Sequence, residues 1–211
     1  MTNRGSKQWG GCAGGSNRWC ARGREDRIRV HSLLYTPWMG AKDMAVRGLK
    51  QSSSVVAIGF SVTESGANTF TQGSVDLNLS PLDREVFVVL SVNLDPFNPD
   101  LQPTDSQVAT SLTTTSQSAV TNLSNSNCIA NAIASIKALP THAVGFLTGA
   151  IETPPATLEY IGIIATNDFF VQVVGSGNAV PKGVSGKLYG YRAVADASIF
   201  AALVQSEVLS A

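Results

Sequence analysis

A chain of 211 residues is long enough for one domain with a substantial core. Its formal net charge is zero because a basic first segment and an acidic second segment cancel each other. Residues 1–50 contain ten Lys and Arg against three Asp and Glu, whereas residues 51–211 contain five against twelve. Three cysteines, an odd number, argue against a disulfide framework, and no apolar run approaches the roughly 20 residues of a membrane-spanning helix. We therefore expect synthesis in the cytoplasm and no membrane partner.

The first 43 residues form a basic stretch rich in glycine and tryptophan. All three tryptophans of the chain, Trp9, Trp19 and Trp38, lie here. Five arginines supply charge that neutralises phosphate, and the tryptophans offer stacking surfaces for bases. These arginines are Arg18, Arg22, Arg24, Arg27 and Arg29. We predict that residues 1–43 are a flexible nucleic-acid-binding arm. Two alternatives stay open, a tail without function and a non-native extension of a protein that starts at Met44.

From Ser53 onward, the pattern of residues is typical of β-strands. Short runs rich in Val, Ile, Thr and Phe alternate with clusters of Ser, Gly, Asn and Pro. The runs "SSVVAIGFSVTE" and "TFTQGSVDLNL" flank "SGAN", which predicts a β-hairpin. In the second run Val75, Leu77 and Leu79 alternate with polar residues, so one face should be buried.

The run "REVFVVLSVNL" predicts the central strand of the domain. Its apolar residues divide into a long face and, near the start of the strand, a second face. The long face is Val86, Val88, Leu90, Val92 and Leu94, and the second is Phe87 and Val89. We expect this strand to be covered on both sides at its start. The following "DPFNPDLQPTD" contains too many prolines to continue a strand and predicts a surface loop.

The remaining segments predict further strands and two helices. Residues 106–124 should be extended, and "NCIANAIASIKAL" places Ile129, Ile133 and Ile136 at helical spacing. The segment "TLEYIGIIATNDFFVQVVG" reads as two strands about "TND", and "GKLYGYRAVAD" as another with two tyrosines on one face. After Asp196, a candidate N-cap, the sequence indicates either a helix or an extended tail. The residues at helical spacing in this segment are Ile199, Ala202, Leu203 and Ser206.

These elements predict an all-β fold, a β-sandwich of jelly-roll type with one or two helices at its margin, formed by residues 44–211. The alternative is an α+β subunit of the tailed-phage capsid type, in which a long helix crosses a sheet. The segment "NSNCIANAIASIKAL" is the stretch that would supply that helix.

Enzyme signatures are weak throughout the sequence. The stretch "VVGSGNAVPKG" has two glycines of a dinucleotide-binding loop, but Val180 holds the third position and Pro181 follows it. The chain has two histidines and no nucleophile motif, so we expect no enzyme activity, no catalytic residues and no cofactor. Cys128, beside Ile129, is expected to be a small buried residue.

Metal sites are also weakly indicated. Cys12 and Cys20, with His31 as a distant third ligand, lack the spacing of a zinc site, so we predict no metal there. Asp95, Asp100 and Asp105 recur in the proline-rich loop, and oxygen ligands on such a loop suit Ca²⁺. Turn chemistry explains the same residues, so the sequence leaves calcium binding open.

Three stretches carry a resemblance to a known kind of protein: "REVFVVLSVNLDP", "LEYIGIIATNDFFVQVVG" and "GKLYGYRAVADASIFAALVQSE". They resemble small virion structural proteins of marine bacterial or archaeal viruses, over most of residues 44–211. The resemblance implies a capsid or coat subunit without an active site, which is made in the host cytoplasm, self-assembles into a shell and resides in the virion. The alternative is a β-sandwich binding module that decorates a virion and recognises carbohydrate or a host surface through exposed aromatics. Its candidate residues are Tyr160, Tyr189 and Tyr191.

Overall fold

The computed structural model describes residues 48–139, 141–148, 151–152 and 158–209. Within them the chain forms eleven β-strands, a 3-10 turn at Pro81–Asp83 and one α-helix. The strands are β1 Leu49–Gln51, β2 Val56–Thr63, β3 Thr71–Asp76, β4 Glu85–Pro96, β5 Ser106–Thr113, β6 Cys128–Ala138, β7 Ala143–Thr148, β8 Ile151–Glu152, β9 Gly162–Ile164, β10 Asp168–Ser176 and β11 Gly183–Ala195, and the helix is α1 Ala197–Leu209. The predicted all-β class is confirmed.

The strands form two antiparallel sheets. In the six-stranded sheet, β1 and β2 both line one side of β11, β4 lies on its other side, and β8 and β9 both line the far side of β4. The five-stranded sheet has the order β3-β10-β5-β6-β7. If β8 and β9 are counted as one position, the strands β2-β11-β4-β9 face the strands β3-β10-β5-β6. Among these eight strands only β5 and β6 follow each other in the same sheet, which is the connectivity of a jelly roll. The predicted jelly-roll type is therefore confirmed.

The space between the sheets is filled by apolar side chains. Phe87, Leu112 and Phe169 are almost completely buried there, together with valines from both sheets. Phe60 packs its ring edge-on against Phe169, with ring centroids 5.7 Å apart. The removal of such large side chains from water is the main driving force that holds two sheets together.

Strand β4 changes faces at a β-bulge. Val89 pairs with Gly190, but Ser91 pairs with Tyr189, so Leu90 is an extra residue that reverses the alternation. Before the bulge, Val86 and Val88 form an outer cluster while Phe87 and Val89 enter the sandwich core. After it, Val92 and Leu94 enter the sandwich core. The predicted cover on both sides at the start is confirmed, but the single long face is wrong beyond Leu90.

Two local predictions fail because tertiary pairing decides the outcome. The predicted hairpin is wrong, since β2 pairs with β11 and β3 pairs with β10 in the opposite sheet. The helix predicted for "NCIANAIASIKAL" is strand β6, which pairs with both β5 and β7. Its alanines at 130, 132 and 134 face inward and are buried, a period of two that the isoleucine spacing concealed. The α+β alternative, which needed this helix, is also wrong.

Other predicted elements are present. The two strands about "TND" are β9 and β10, although they lie in different sheets, and β11 covers the predicted tyrosine strand. The extended segment 106–124 is strand β5 followed by a loop, and β4 runs through Pro96 before the surface loop begins.

The C-terminal helix is present and lies on the outer face of the six-stranded sheet. It begins directly after Asp196, whose carbonyl oxygen accepts the Phe200 N–H at 2.9 Å. Its packed face is Ile199, Phe200, Leu203, Val204 and Glu207. The alternative of an extended tail is therefore wrong, and of the residues at helical spacing Ile199 and Leu203 are packed, whereas Ala202 and Ser206 are exposed. No helix within the described ranges is long and apolar enough to cross a membrane.

Candidate assembly surfaces

The predicted nucleic-acid-binding residues lie outside the described part of the chain. These residues are Arg18, Arg22, Arg24, Arg27 and Arg29. The predicted boundary between residues 43 and 44 lies outside it as well. Both stay predictions, and the surfaces below belong to the jelly roll itself.

The connectivity places the loops at two ends of the sandwich. Loops 64–70, 97–105 and 177–182 meet at one end, which we call the clamp end. Loops 77–84, 114–127 and 165–167 meet at the other end, which we call the helix end because α1 joins it through Glu207.

Asn178 ties the loops of the clamp end together. Its side-chain oxygen accepts the Asp100 N–H at 2.9 Å, and its side-chain amide donates to the Gln107 carbonyl at 2.8 Å. Its own N–H donates to the Asn68 side-chain oxygen at 2.9 Å, and the Asn68 amide donates back to the Asn178 carbonyl at 2.8 Å. Asx side chains of this kind replace backbone partners that loops lack. The clamp end is therefore a fixed surface.

Two carboxylates, Asp100 and Glu64, also bind groups of the clamp end. Asp100 accepts a hydrogen bond from the Lys182 ammonium at 2.5 Å and others from the N–H groups of Ala179 and Val180, and the Lys182 bond holds the pKa of Asp100 below its ordinary value. Glu64 is buried and accepts the N–H groups of Gly175 at 2.5 Å and Lys182 at 2.7 Å. These acceptor bonds replace the water that a buried carboxylate loses.

The geometry bears on the calcium hypothesis. Asp105 accepts hydrogen bonds from the Lys137 ammonium at 2.7 Å and from the Ala138 N–H, so it and Asp100 each face a lysine. Asp95 is exposed on β4. Among the described residues, no three potential metal ligands come together. The three aspartates therefore do not converge on one ion.

Large apolar side chains are exposed at the loop tips of both ends. Leu101 is 73% exposed and Val180 52% exposed at the clamp end, and Leu82 is 96% exposed at the helix end. Apolar side chains on fixed loops lose water when another protein surface covers them. Both ends therefore offer apolar contact points to a neighbouring molecule.

The tyrosines proposed for ligand recognition mostly serve packing. Tyr160 and Tyr191 pack against the outer cluster beneath α1, and burial raises the pKa of Tyr191. Tyr189 is half-buried on the same strand as Tyr191. These positions do not form an exposed aromatic platform.

Glu207 is a buried carboxylate that the sequence did not indicate. Its two side-chain oxygens accept the N–H groups of Ala165 at 2.9 Å and Thr166 at 3.1 Å, at the end of β9. Burial raises the pKa of Glu207, and these hydrogen bonds partly oppose the shift. The residue therefore fastens α1 to the helix end of the sandwich.

A shallow cleft of about 300 Å³ opens between the end of β4 and strands β6 and β7. Its lining is mainly apolar and includes Pro96, Pro99, Ile136 and Phe146. Cys128, on the same strand as Ile136, is half-buried with its Sγ 3.4 Å from the Ala130 carbonyl oxygen.

Comparisons with known proteins add little to this geometry. No family model matches the chain, and no curated protein matches it. A chain of Desmodium yellow mottle tymovirus is similar at 12% identity and a TM-score of 0.29, over 70% of this chain and 93% of that one. A chain of turnip yellow mosaic virus is similar at 17% identity and a TM-score of 0.28, over 70% and 99%. At these scores the jelly-roll assignment depends on the strand order of the chain itself.

Proposed function

We propose that this chain is a virion coat subunit that assembles with copies of itself into a shell. The observation that carries the proposal is a jelly-roll strand order combined with exposed apolar side chains on the loops at both ends of the sandwich. Jelly rolls serve as capsid, lectin and cupin domains, so the fold by itself is compatible with all three classes of protein. The surface and the interior of this sandwich decide which class they support best.

The charge distribution supports the coat class. Strands β2, β5, β7 and β9 contain no charged residue, and residues 51–211 carry seventeen charges in all. Interface cores are depleted in Lys, Glu and Asp, because a charge covered by a neighbour loses its hydration. A wall with few charges suits a subunit that neighbours cover.

The other jelly-roll classes find less support. The interior of the sandwich, where a cupin holds its site, is packed with apolar side chains such as Phe87 and Phe169. A lectin-like or decorating module would use exposed aromatics, but Tyr160 and Tyr191 pack beneath α1. We therefore retain decoration of a virion only as an outcome of the experiment below.

The finer parts of the proposal extend beyond the described residues. The arm of residues 1–43 would face the interior of the shell and neutralise packaged nucleic acid, while the acidic body builds the wall. The protein would be made in the host cytoplasm and would reside in the virion. The sequence resemblance points to marine bacterial or archaeal viruses as its source.

The experiment is to purify the full chain and examine it by size-exclusion chromatography and negative-stain electron microscopy. We expect closed particles or large oligomers that grow with protein concentration. A chain that stays monomeric at every concentration would contradict the proposal. Small oligomers that bind a glycan array would indicate the decorating module instead.

A further inference from the structure

Strand β2 is an edge strand that lacks the usual protection against pairing. It lines the outer side of β11, and within the described ranges no strand pairs with its other side. Its eight residues, "VAIGFSVT", contain no charge and no proline. Natural edge strands normally carry such residues, or bulges, to prevent pairing with another chain. The register of β2 with β11 is also continuous, without a bulge.

The hydrogen-bond phase identifies which backbone groups of β2 point outward. The Glu64 N–H donates to the Lys182 carbonyl at 2.8 Å, so even-numbered residues of this strand bond to β11. The odd-numbered residues then direct their N–H and C=O groups away from the sheet. These residues are Ala57, Gly59, Ser61 and Thr63, and all four are exposed.

The inner side of β2 is incompletely covered. Ile58, Phe60 and Val62 pack against the sandwich core, yet all three stay half-exposed at the margin of the sheet. Apolar side chains that line a sheet margin lose further water when a further strand continues the sheet beyond it. The unpaired backbone and the uncovered apolar row therefore call for the same partner, another strand.

We propose that β2 pairs antiparallel with β2 of a second copy of this chain, joining two six-stranded sheets across a twofold axis. A strand with no charge is complementary to itself, as a twofold contact requires. The register centred on Phe60 places Ala57 opposite Thr63 and Gly59 opposite Ser61. The twofold axis repeats each of these pairs, which gives four hydrogen-bonded pairs of small residues and about eight hydrogen bonds.

The same register also pairs the apolar row. Phe60 lies opposite the Phe60 of the second copy, and Ile58 lies opposite Val62, so each half-exposed side chain covers another. No like charges are brought together within the paired residues. The proposal deepens the coat function, because it names one of the contacts through which copies would associate, and it rests on the coat function only for its place in a shell.

The test substitutes Ser61 in the full chain. Ser61→Pro removes an outward N–H that β11 does not use, a position at which an edge strand tolerates proline. Ser61→Lys adds the missing edge charge without touching the backbone. Because the twofold axis applies each change twice, we expect both variants to raise the dimer dissociation constant by at least about tenfold, measured by sedimentation velocity.

Two matched controls accompany these variants. Ser61→Ala keeps the N–H and should associate like the native chain. Ser74→Pro makes the same substitution at an outward N–H of β3, the edge of the opposite sheet, since the Leu77 N–H bond to the Asn167 carbonyl assigns the odd residues of β3 to β10. It should also associate normally.

The outcomes separate this inference from the coat function. If Ser61→Lys, with native thermal stability, dimerises as tightly as the native chain, the edge proposal is wrong, whether or not shells still form. If the native chain dimerises through Ser61 but forms no particles, the edge proposal stands and the coat function fails. A native chain that does not self-associate overturns both. Should Ser61→Pro not fold, Ser61→Lys decides alone.

Discussion

Glu207 shows how a single residue fixes the position of an element. The carboxylate lies where the packed face of α1 meets the end of β9, and its oxygens accept the N–H groups of the two residues that follow this strand. An unsatisfied buried N–H is costly, so the residue stabilises the docked helix through its acceptors. The same burial opposes its ionisation and raises its pKa.

The pH dependence of stability should therefore carry a contribution from Glu207. An acid whose pKa is raised on folding contributes stability that is fully present below the unfolded pKa and is lost as the pH rises through the folded pKa. Glu207→Gln cannot ionise and keeps one acceptor oxygen. The melting temperature of Glu207→Gln relative to the native chain should therefore increase as the pH rises above the ordinary pKa of a glutamate.

A matched variant is Glu159→Gln, which removes an exposed carboxylate that precedes β9. Measured in the same way, it controls for the loss of one negative charge at a carboxylate that is not buried. A Glu207→Gln difference that stays constant with pH would show that Glu207 does not titrate against the fold in this range.

At the scale of elements, sequence patterns predicted strands well and their faces less well. In β4 the alternation was legible up to Val89, but the bulge at Leu90 arises from pairing with β11 and leaves no mark in the sequence. In β6 the inward residues are alanines, whose small size gives a weak apolar signal, so the isoleucines suggested a helix. In α1, the apolar pattern did not indicate Phe200 and Val204, because the packed face that they share also contains the charged residue Glu207.

Strand β4 provides the most direct test of the element assignments. Val88 is fully buried in the outer cluster beneath α1, in a strand that is paired on both sides. Val88→Asp would bury a carboxylate without a partner, at a cost of several kcal/mol, comparable with the stability of a whole domain. We expect the variant to be insoluble or unfolded, measured by soluble yield and thermal melting.

The control lies in the same strand. Asn93 is exposed, and Asn93→Asp adds the same charge without burying it, so this variant should melt within a few degrees of the native chain. A soluble Val88→Asp with native-like melting would mean that the cluster beneath α1 does not contribute to folding.

At the scale of the whole molecule, the sequence predicted a β-sandwich but not which strands pair with each other. Strands spaced by about ten residues with turn signals indicate a sandwich, and that prediction is confirmed. In a jelly roll, however, consecutive strands mostly lie in opposite sheets, as β2, β3 and β4 do here. A short polar connection such as "SGAN" serves a crossing between sheets as readily as a hairpin. Local signals therefore cannot choose the pairing.

The opposite net charges of the two segments of the chain are the basis for predicting a nucleic-acid-binding arm. Residues 1–50 carry a net charge of +7 and residues 51–211 a net charge of −7, so nucleic acid should be attracted by the first and repelled by the second. We expect the full chain to bind a single-stranded oligonucleotide with an affinity that falls with salt, at a log-log slope near −0.7 for each phosphate contacted.

The measurement compares the full chain with a chain that begins at Met44, by fluorescence anisotropy at two salt concentrations. The shorter chain should melt at nearly the same temperature, because it keeps every strand and the helix that the structure describes, and it should not bind. Equal binding by both chains would place the nucleic-acid site on the jelly roll and remove the arm from the mechanism. If neither chain binds, residues 1–43 are a tail or an extension, and mass spectrometry of the native N-terminus separates these two, since only an extension predicts a protein that starts at Met44.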